Sequence, residues 1–213
     1  MSEVPGWLAG LAAAAATIRV PAVLRPPAAG GRRSAVLVLF GEGPAGPDLL
    51  YIQRSAGLRR HAGQPAFPGG ALEPAELADP GGGTVAAALR EAQEEVGVDP
   101  AGVDVLATMP EMFISRSGFR VAPVLAWWRE PSAVRPVDVG EVAAVERIPV
   151  VDLADPRHRL MLRVPSGHLS PAFRVGSMLI WGFTAALTDR LLSLAGWERP
   201  WDSTHVRELP EGA

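Results

Sequence analysis

The stretch from residue 67 to residue 98, FPGGALEPAELADPGGGTVAAALREAQEEVGV, constrains this chain most, because a glycine-rich acidic loop runs directly into an alanine-rich segment. From Thr84 onward the residues are good helix formers, and Gly97 is typical of the residue that ends a helix. One face repeats apolar residues at helical spacing, which predicts burial of Leu89, Ala92 and Val96. We therefore expect a helix that packs on a core immediately after a loop.

Another face of the same helix carries three carboxylates, from Glu91, Glu94 and Glu95, with only Arg90 nearby to offset them. Residues three and four apart are neighbours on a helix, so these like charges repel one another. The C-terminal half of a helix also disfavours each negative charge, by roughly 0.3–1 kcal/mol. A solvated acidic helix end is one interpretation. We favour a metal site, because a hard divalent cation that prefers oxygen ligands would relieve the repulsion.

The order of glycine, glutamate and arginine in this stretch resembles a family pattern. Gly70 is followed after five residues by Glu76, and later by the run REAQEEVGV from Arg90 to Val98. This resembles the Nudix box, G-x5-E-x7-REUxEExGU, where U is apolar, and the second half matches at every fixed position. Thirteen residues separate Glu76 from Arg90 where the family pattern has seven, so six residues are inserted around ADPGGG.

The residues before the box carry a second resemblance. Residues 49–70, LLYIQRSAGLRRHAGQPAFPGG, are similar to the segment that precedes the box in the coenzyme A pyrophosphatase branch of the Nudix family. Ile52 stands where Thr is usual in that branch. Composition alone would favour an exposed arginine loop, whereas the resemblance implies a loop that contacts the substrate. The substrate-binding candidates are Arg54, Ser55, Arg59, His61, Phe67, Gly69 and Gly70.

The rest of the chain alternates strands and helices around the box. Residues 34–40, SAVLVLF, are typical of a strand buried on both faces, and the turn-rich segment 41–47 joins it to a second strand at 49–53 as a hairpin. Further strands are predicted at 103–108, 118–128 and 145–150, then a strand pair within 157–175 and a strand-to-helix entry at 179–185. This order and the resemblance both imply the Nudix fold, an α/β/α sandwich with a mixed β-sheet.

Length and composition narrow the remaining choices. A chain of 213 residues suits one sizeable core, and we divide it into an N-terminal helix and arm (1–33), a Nudix hydrolase domain (34–196) and a C-terminal tail (197–213). The absence of cysteine excludes disulfides and thiolate ligands and fits a reducing cytoplasm. A net charge of −3 argues against a nucleic-acid partner. No apolar run is long and clean enough to predict a membrane segment.

The resemblance implies a metal-dependent diphosphatase that uses Mg²⁺ or Mn²⁺. Its substrate would be coenzyme A or acyl-CoA, which water attack on the diphosphate would convert to 3′,5′-ADP and (acyl-)phosphopantetheine. Glu91, Glu95 and Glu94 would hold metal together with a carbonyl near Gly70, and Arg90 would orient these carboxylates. We expect a further acidic residue, Glu141, to act as base or extra ligand, although an ordinary exposed glutamate fits the sequence equally well.

Two other functions stay open at this point. One is hydrolysis of a different nucleoside diphosphate derivative, such as ADP-ribose or NADH. The other is a non-catalytic, nucleotide-sensing Nudix module, against which the intact Glu91, Glu94 and Glu95 argue. The tail, which contains Trp197 and Trp201, is predicted either to cover its own sheet or to contact the second subunit of a homodimer.

Overall fold

The apolar run at 34–40 lies on the central strand of the structure. The computed structural model describes residues 3–58, 61–79, 81–164 and 167–210. Its helices are α1 (Gly6–Ala16), α2 (Pro74–Leu77), α3 (Gly83–Val96), α4 (Val150–Leu153) and α5 (Gly182–Leu194). Its strands are β1 (Arg32–Gly43), β2 (Gly46–Arg54), β3 (Pro65–Ala66), β4 (Gly69–Ala71), β5 (Val103–Thr108), β6 (Met112–Ile114), β7 (Phe119–Trp128), β8 (Val142–Pro149), β9 (Arg159–Arg163), β10 (Leu169–Val175), β11 (Met178–Ile180) and β12 (Val206–Glu208).

Two sheets are formed within the described residues. The larger has eight strands along the path β3-β2-β1-β7-β5, with β4 paired to β1, β6 to β7 and β8 to β2. It is mixed, because β1 runs parallel to β7 and antiparallel to β2 and β4. The smaller sheet has the order β11-β10-β9-β12. Strand β1 is therefore bonded along both edges, as a continuous apolar run requires.

The two faces of β1 feed two separate cores, because successive side chains of a strand point to opposite faces. Val38 and Phe40 lie in the core that also receives α1 and α5. Leu37 and Leu39 lie in the core on the other face, against α3. Helices thus cover both faces of the mixed sheet. The predicted α/β/α sandwich is confirmed.

The β1–β2 hairpin is tighter than the predicted turn at 41–47. The strands run to Gly43 and resume at Gly46, so that only two residues form the turn. Two of the glycines serve close packing instead, because a Cβ on Gly43 would lie 2.6 Å from Oδ2 of Asp48. Asp48 is 5% exposed and is paired with Arg147 at 2.7 Å. The buried ion pair explains Gly41 and Gly43, whereas Gly46, with φ of 94°, is explained by the turn.

The strand predicted at 145–150 begins earlier than expected. Strand β8 begins at Val142 and pairs with β2, so Glu146 lies on a strand opposite Tyr51. Glu141 immediately precedes that strand and is exposed. The other predicted strands, the strand pair and the strand-to-helix entry agree with β5, β7 and β9 to β11 followed by α5.

Both ends of the described chain pack on the core that contains α5. Leu8 and Leu11 of α1 are buried there, and the Trp7 ring lies 4.9 Å from the Trp197 ring, centroid to centroid. Strand β12 pairs in parallel with β9, so the tail covers its own domain. Among the described helices, none combines the length and the apolar character needed to cross a bilayer.

We expect Leu8→Ala to lower the free energy of unfolding by about 2–5 kcal/mol, because it opens a cavity in a closely packed core. Leu8 is 0% exposed, whereas Val23 in the following arm is 79% exposed. Val23→Ala is the control and should change stability by less than about 0.5 kcal/mol. Urea denaturation measures both. Equal, small effects would mean that α1 is not part of the cooperative core.

Candidate active site

Helix α3 begins at Gly83 and ends where the sequence predicts. Gly97 adopts a left-handed conformation with φ of 76°, and the following N–H of Val98 donates to the carbonyl of Ala92 at 3.3 Å. This arrangement closes a helix and favours glycine. The helix buries Ala87, Ala88, Ala92 and Val96 against the sheet, while Leu89 is only partly buried. The glutamates are therefore held on a fixed element.

Glu95 faces inward on this helix. Glu95 is 3% exposed, and its Oε2 accepts a hydrogen bond from the Gly69 N–H at 3.0 Å. Burial raises the pKa of its carboxyl from 4.5 to about 7, while the Gly69 N–H and the charge of Arg54 act in the opposite direction. The charges of Glu91 and Glu141 raise this pKa further. A bound cation would therefore stabilise the deprotonated form of the buried Glu95 carboxyl.

Glu91 lies one helical turn before Glu95, with its side chain 17% exposed. Burial raises the pKa of Glu91, Arg90 opposes the shift, and the charges of Glu94 and Glu141 add to it. A Cβ on Gly70 would come within 2.4 Å of this carboxyl group, so only glycine allows the backbone of β4 to approach so closely. The carboxylates of Glu91 and Glu95 therefore both lie against the strand that contains Gly69 and Gly70.

Glu94 does not join them. Its side chain is 58% exposed, and its Oε2 lies 3.0 Å from Nη1 of Arg90. The predicted convergence of three carboxylates is thus reduced to two. Arg90, four residues earlier on the helix, donates through the same Nη1 to the exposed Glu94 and to Glu91.

Arg90 connects the two halves of the box. Its Nε and Nη2 donate to the two carboxylate oxygens of Glu76 at 2.9 and 3.2 Å, and its Nη1 donates to Glu91 at 2.9 Å. Such a bidentate pair fixes both distance and orientation. Hydrogen bonding to Arg90 lowers the pKa of Glu76. Glu76 therefore occupies its place in the box despite the six inserted residues.

The insertion leaves the ends of the box loop close together. A Cβ on Gly83 would lie 3.1 Å from the Cα of Glu76 and only 1.8 Å from its carbonyl oxygen. Between them, α2 ends at Leu77, whose side chain is exposed, and Asp79 accepts hydrogen bonds from the N–H groups of Gly81 and Gly82. The described part of the insertion is a surface excursion.

The loop before the box meets the carboxylates at Arg54. Its Nη1 lies 3.5 Å from Oε1 of Glu95, and its Nε is buried without a hydrogen-bond partner. The next residue, Ser55, donates its backbone N–H to the carbonyl of Glu141 at 2.8 Å. The structure thus brings Arg54, Ser55 and Glu141 to the edge of the site, although Glu141 is distant in sequence.

Two other substrate-binding candidates, His61 and Phe67, are placed differently. His61 bonds within its own loop, with Nδ1 2.9 Å from Oε1 of Gln64. Phe67 is 3% exposed and its ring stacks on Tyr51 in the core, so its side chain faces away from the surface of the site. Arg59 lies outside the described residues.

Sequence reasoning missed a charged cluster near the start of α3. Glu111 accepts hydrogen bonds from Arg33 and Arg120, each at 2.9 Å, and Arg33 also reaches Thr84 at 3.4 Å. No pattern singled out Glu111, because it stands alone between two short strands.

A cleft of about 240 Å³ lies beside the loop that precedes the box. It is lined by residues that include Gln53 and Gly63, and it does not include the carboxylates.

Comparison with known proteins agrees with this geometry. The NUDIX domain model matches residues 31–171. The chain belongs to the Nudix hydrolase family. It is 37% identical to an uncharacterized Nudix hydrolase NudL of Cronobacter sakazakii, over 79% of this chain and 85% of that protein. It is 41% identical to the NudL of Escherichia coli O1:K1, over 75% of this chain and 81% of that protein.

A solved structure of a Nudix hydrolase from M. smegmatis, RenU, has the same fold. It superposes with a TM-score of 0.54 at 21% identity and covers 82% of this chain and 91% of that one. The likeness to RenU shows the fold. Membership of the Nudix hydrolase family, from the domain match and the NudL relatives, shows that the protein acts on phosphoric anhydrides in nucleoside diphosphate derivatives. Nudix hydrolases generally need divalent metal ions.

The residues present fit such an ion. Two desolvated carboxylates, Glu91 and Glu95, lie one turn apart with raised pKa values, against a strand whose backbone approaches them closely. Within the described ranges, no three His, Asp or Glu side chains are grouped so as to hold an ion alone. Backbone, water and substrate oxygens would complete the coordination, which is the usual way that proteins bind Mg²⁺.

We predict a pH-dependent stability for the metal-free Nudix hydrolase. Because burial raises the folded-state pKa of Glu95 from 4.5 to about 7, folding favours the protonated form, and this stability is lost as pH rises towards 7. The free energy of unfolding should fall by up to about 3 kcal/mol between pH 4.5 and pH 8 through this group. Glu95→Gln should flatten that dependence in urea denaturation with EDTA.

Glu94→Gln is the control, because the Glu94 side chain is 58% exposed. It should leave the pH dependence as in the unmodified protein. If Glu95→Gln retains the full pH dependence, the carboxyl of Glu95 is not desolvated as described.

We also predict that excision of residues 77–82 is tolerated. The Cα of Glu76 lies near enough to Gly83 for a direct peptide link, which spans 3.8 Å between Cα atoms. The cost of closing a surface loop changes little with its length. The variant should keep turnover of the preferred substrate, with a melting temperature within about 5 °C of the original.

Replacing the same six residues with glycine and serine provides the matched control for composition. A folded excision variant without turnover, beside an active glycine-serine variant, would show that the length of the insertion positions Glu76.

Proposed function

We propose that this Nudix hydrolase cleaves the diphosphate of coenzyme A or acyl-CoA, giving 3′,5′-ADP and (acyl-)phosphopantetheine. The observation that carries the proposal is the position of Arg54. The loop with the coenzyme A signature begins at this arginine, whose Nη1 lies 3.5 Å from Oε1 of Glu95. The segment that carries the signature is therefore in contact with the carboxylate site.

The carboxylates have different metal-binding roles in this proposal. Glu91 and Glu95 would hold Mg²⁺ or Mn²⁺ together with a backbone carbonyl near Gly70, and the exposed Glu94 would hold a further ion through water. When bound, such an ion would supply charge neutralisation for the diphosphate oxygens and a lower pKa for the attacking water. Arg90 positions Glu76 and Glu91 and does not contact the substrate, since its donors are directed at those carboxylates.

Glu141 is proposed as the general base. Its charge raises the pKa of both Glu91 and Glu95, so it faces the same space, and Ser55 anchors its backbone. The water oxygen forms a bond to one phosphorus while the bond from that phosphorus to the bridging oxygen breaks. Glu141 takes the proton of the water, and the bridging oxygen leaves with the other phosphate.

Gly69, Gly70 and Arg54 are the proposed substrate-binding residues that lie beside this space. Gly69 and Gly70 admit the diphosphate to the carboxylates, and Arg54 offers a guanidinium with an unpartnered Nε. We assign the 3′-phosphate of coenzyme A to Arg59, because arginine meets phosphate oxygens in pairs. His61 shapes the loop through Gln64.

A substrate panel tests the proposal. Coenzyme A, dephospho-coenzyme A, an acyl-CoA, ADP-ribose and NADH are incubated with Mg²⁺ or Mn²⁺, and the products are resolved by mass spectrometry. We expect coenzyme A or acyl-CoA to have the highest kcat/KM, and Glu91→Gln or Glu95→Gln to lower it at least about a hundredfold. Highest activity on ADP-ribose or NADH would refute the substrate, and unchanged activity in either variant would refute the site.

Two arginine variants separate the roles of the loop. Arg54→Ala should lower kcat for coenzyme A and dephospho-coenzyme A alike, because Arg54 contacts Glu95. Arg59→Ala should raise KM about ten- to a hundredfold for coenzyme A and much less for dephospho-coenzyme A, which lacks the 3′-phosphate. Steady-state kinetics measures both. If Arg59→Ala affects the two substrates equally, Arg59 does not read the 3′-phosphate.

A further inference from the structure

A second concave site lies on the face of the sheet opposite the carboxylates. It has a volume of about 400 Å³ and opens between the arm after α1 and helix α5. This volume is in the range of small-molecule sites in proteins. Its walls are mainly apolar and include Ile18, Val20, Leu24, Met112, Phe183 and Leu187. We call it the arm pocket.

The polar groups of the arm pocket are Arg19, Asp189 and Arg190. Asp189 forms an ion pair with Arg159, whose side chain is 0% exposed. Nη1 of Arg159 also lies 3.7 Å from Oε1 of Glu198. Trp201 covers Arg159, with its ring centroid 4.3 Å from the guanidinium carbon. Arg159 is shared between Asp189 and Glu198 and so compensates Asp189 in part, and the lining of the pocket holds two arginines against this one aspartate.

The two remaining arginines give the pocket an excess of positive charge. Arg19 and Arg190 are both exposed, and neither side chain donates a hydrogen bond to another residue in the described ranges. Arg190 acts on Asp189 through its charge alone. Two cationic groups beside an apolar cavity fit a ligand with an aliphatic body and an anionic end.

We propose that the arm pocket binds one molecule of a single-chain aliphatic carboxylate. The aliphatic chain of this ligand would lie between the arm and α5, and its carboxylate would lie at Arg19 and Arg190. This site is independent of the proposed diphosphate chemistry, since its lining residues belong to the other face of the sheet. Its test therefore needs no turnover.

The experiment is calorimetric titration of the full chain with decanoate below its micelle concentration, compared with decan-1-ol and decyltrimethylammonium. We expect saturable binding of one decanoate per chain, with the alcohol and the cation bound at least about tenfold more weakly. Equal affinity for all three would overturn the role of the arginines. No saturable binding of decanoate, or binding that begins only with micelles, would overturn the site.

Two changes, each with its own control variant, test where decanoate binds. Ala186→Trp fills the pocket from α5 and should abolish the decanoate signal, whereas Ser193→Trp on an exposed part of the same helix should not. Arg19→Glu with Arg190→Glu should weaken decanoate at least about tenfold and leave decan-1-ol unchanged. Arg174→Glu, at an exposed residue of β10, is the charge control. Undiminished binding in Ala186→Trp, with circular dichroism showing a folded chain, places the ligand elsewhere and refutes the proposal.

Discussion

The buried carboxylate of Glu95 is the constraint on which the site depends. A charged group on the inward face of a helix is costly unless hydrogen bonds and counter-charges compensate it. Here the Gly69 N–H binds one oxygen and Arg54 lies near the other, yet burial still raises the pKa to about 7. The metal-free protein is therefore stabilised by protonation of a group whose deprotonated form would bind the ion. Folding and metal binding favour opposite states of the same carboxyl.

Arg90 solves a different problem, which is how to hold several glutamates in fixed positions without losing their charge. One guanidinium reaches Glu76, Glu91 and Glu94, and its Nη2 also donates to the carbonyl of Ala71 at 3.3 Å. Those four partners come from the loop, the strand and the helix of the box. The six-residue insertion changes none of them, because it leaves and returns at points in direct contact.

The parts of the fold that depend on local pattern could be predicted from the sequence. A continuous apolar strand, a helix closed by Gly97 and the spacing of Glu91 and Glu95 are each encoded within a few residues. The hairpin was predictable but its short turn was not, since Gly43 is required by Asp48 and Gly41 by Arg147, which lies far away in sequence. The proximity of Glu141 and the charge compensation of Asp189 by Arg159 likewise depend on pairings that no local pattern reports.

Phe67 shows how a residue can matter to the site without touching a substrate. Its ring is buried against Tyr51, whose hydroxyl is bonded to Thr188 of α5 at 2.9 Å. The next residue, Pro68, accepts a hydrogen bond from the central strand at Leu37, and the one after it, Gly69, binds Glu95. Because these contacts are consecutive along the backbone, the apolar core beneath α5 fixes the position of the Gly69 N–H that donates to the Glu95 carboxylate. Gly69 and Gly70 of β4 approach α3 closely on one face of the sheet, while Phe67 packs in the core on the opposite face and holds the start of β4 in place.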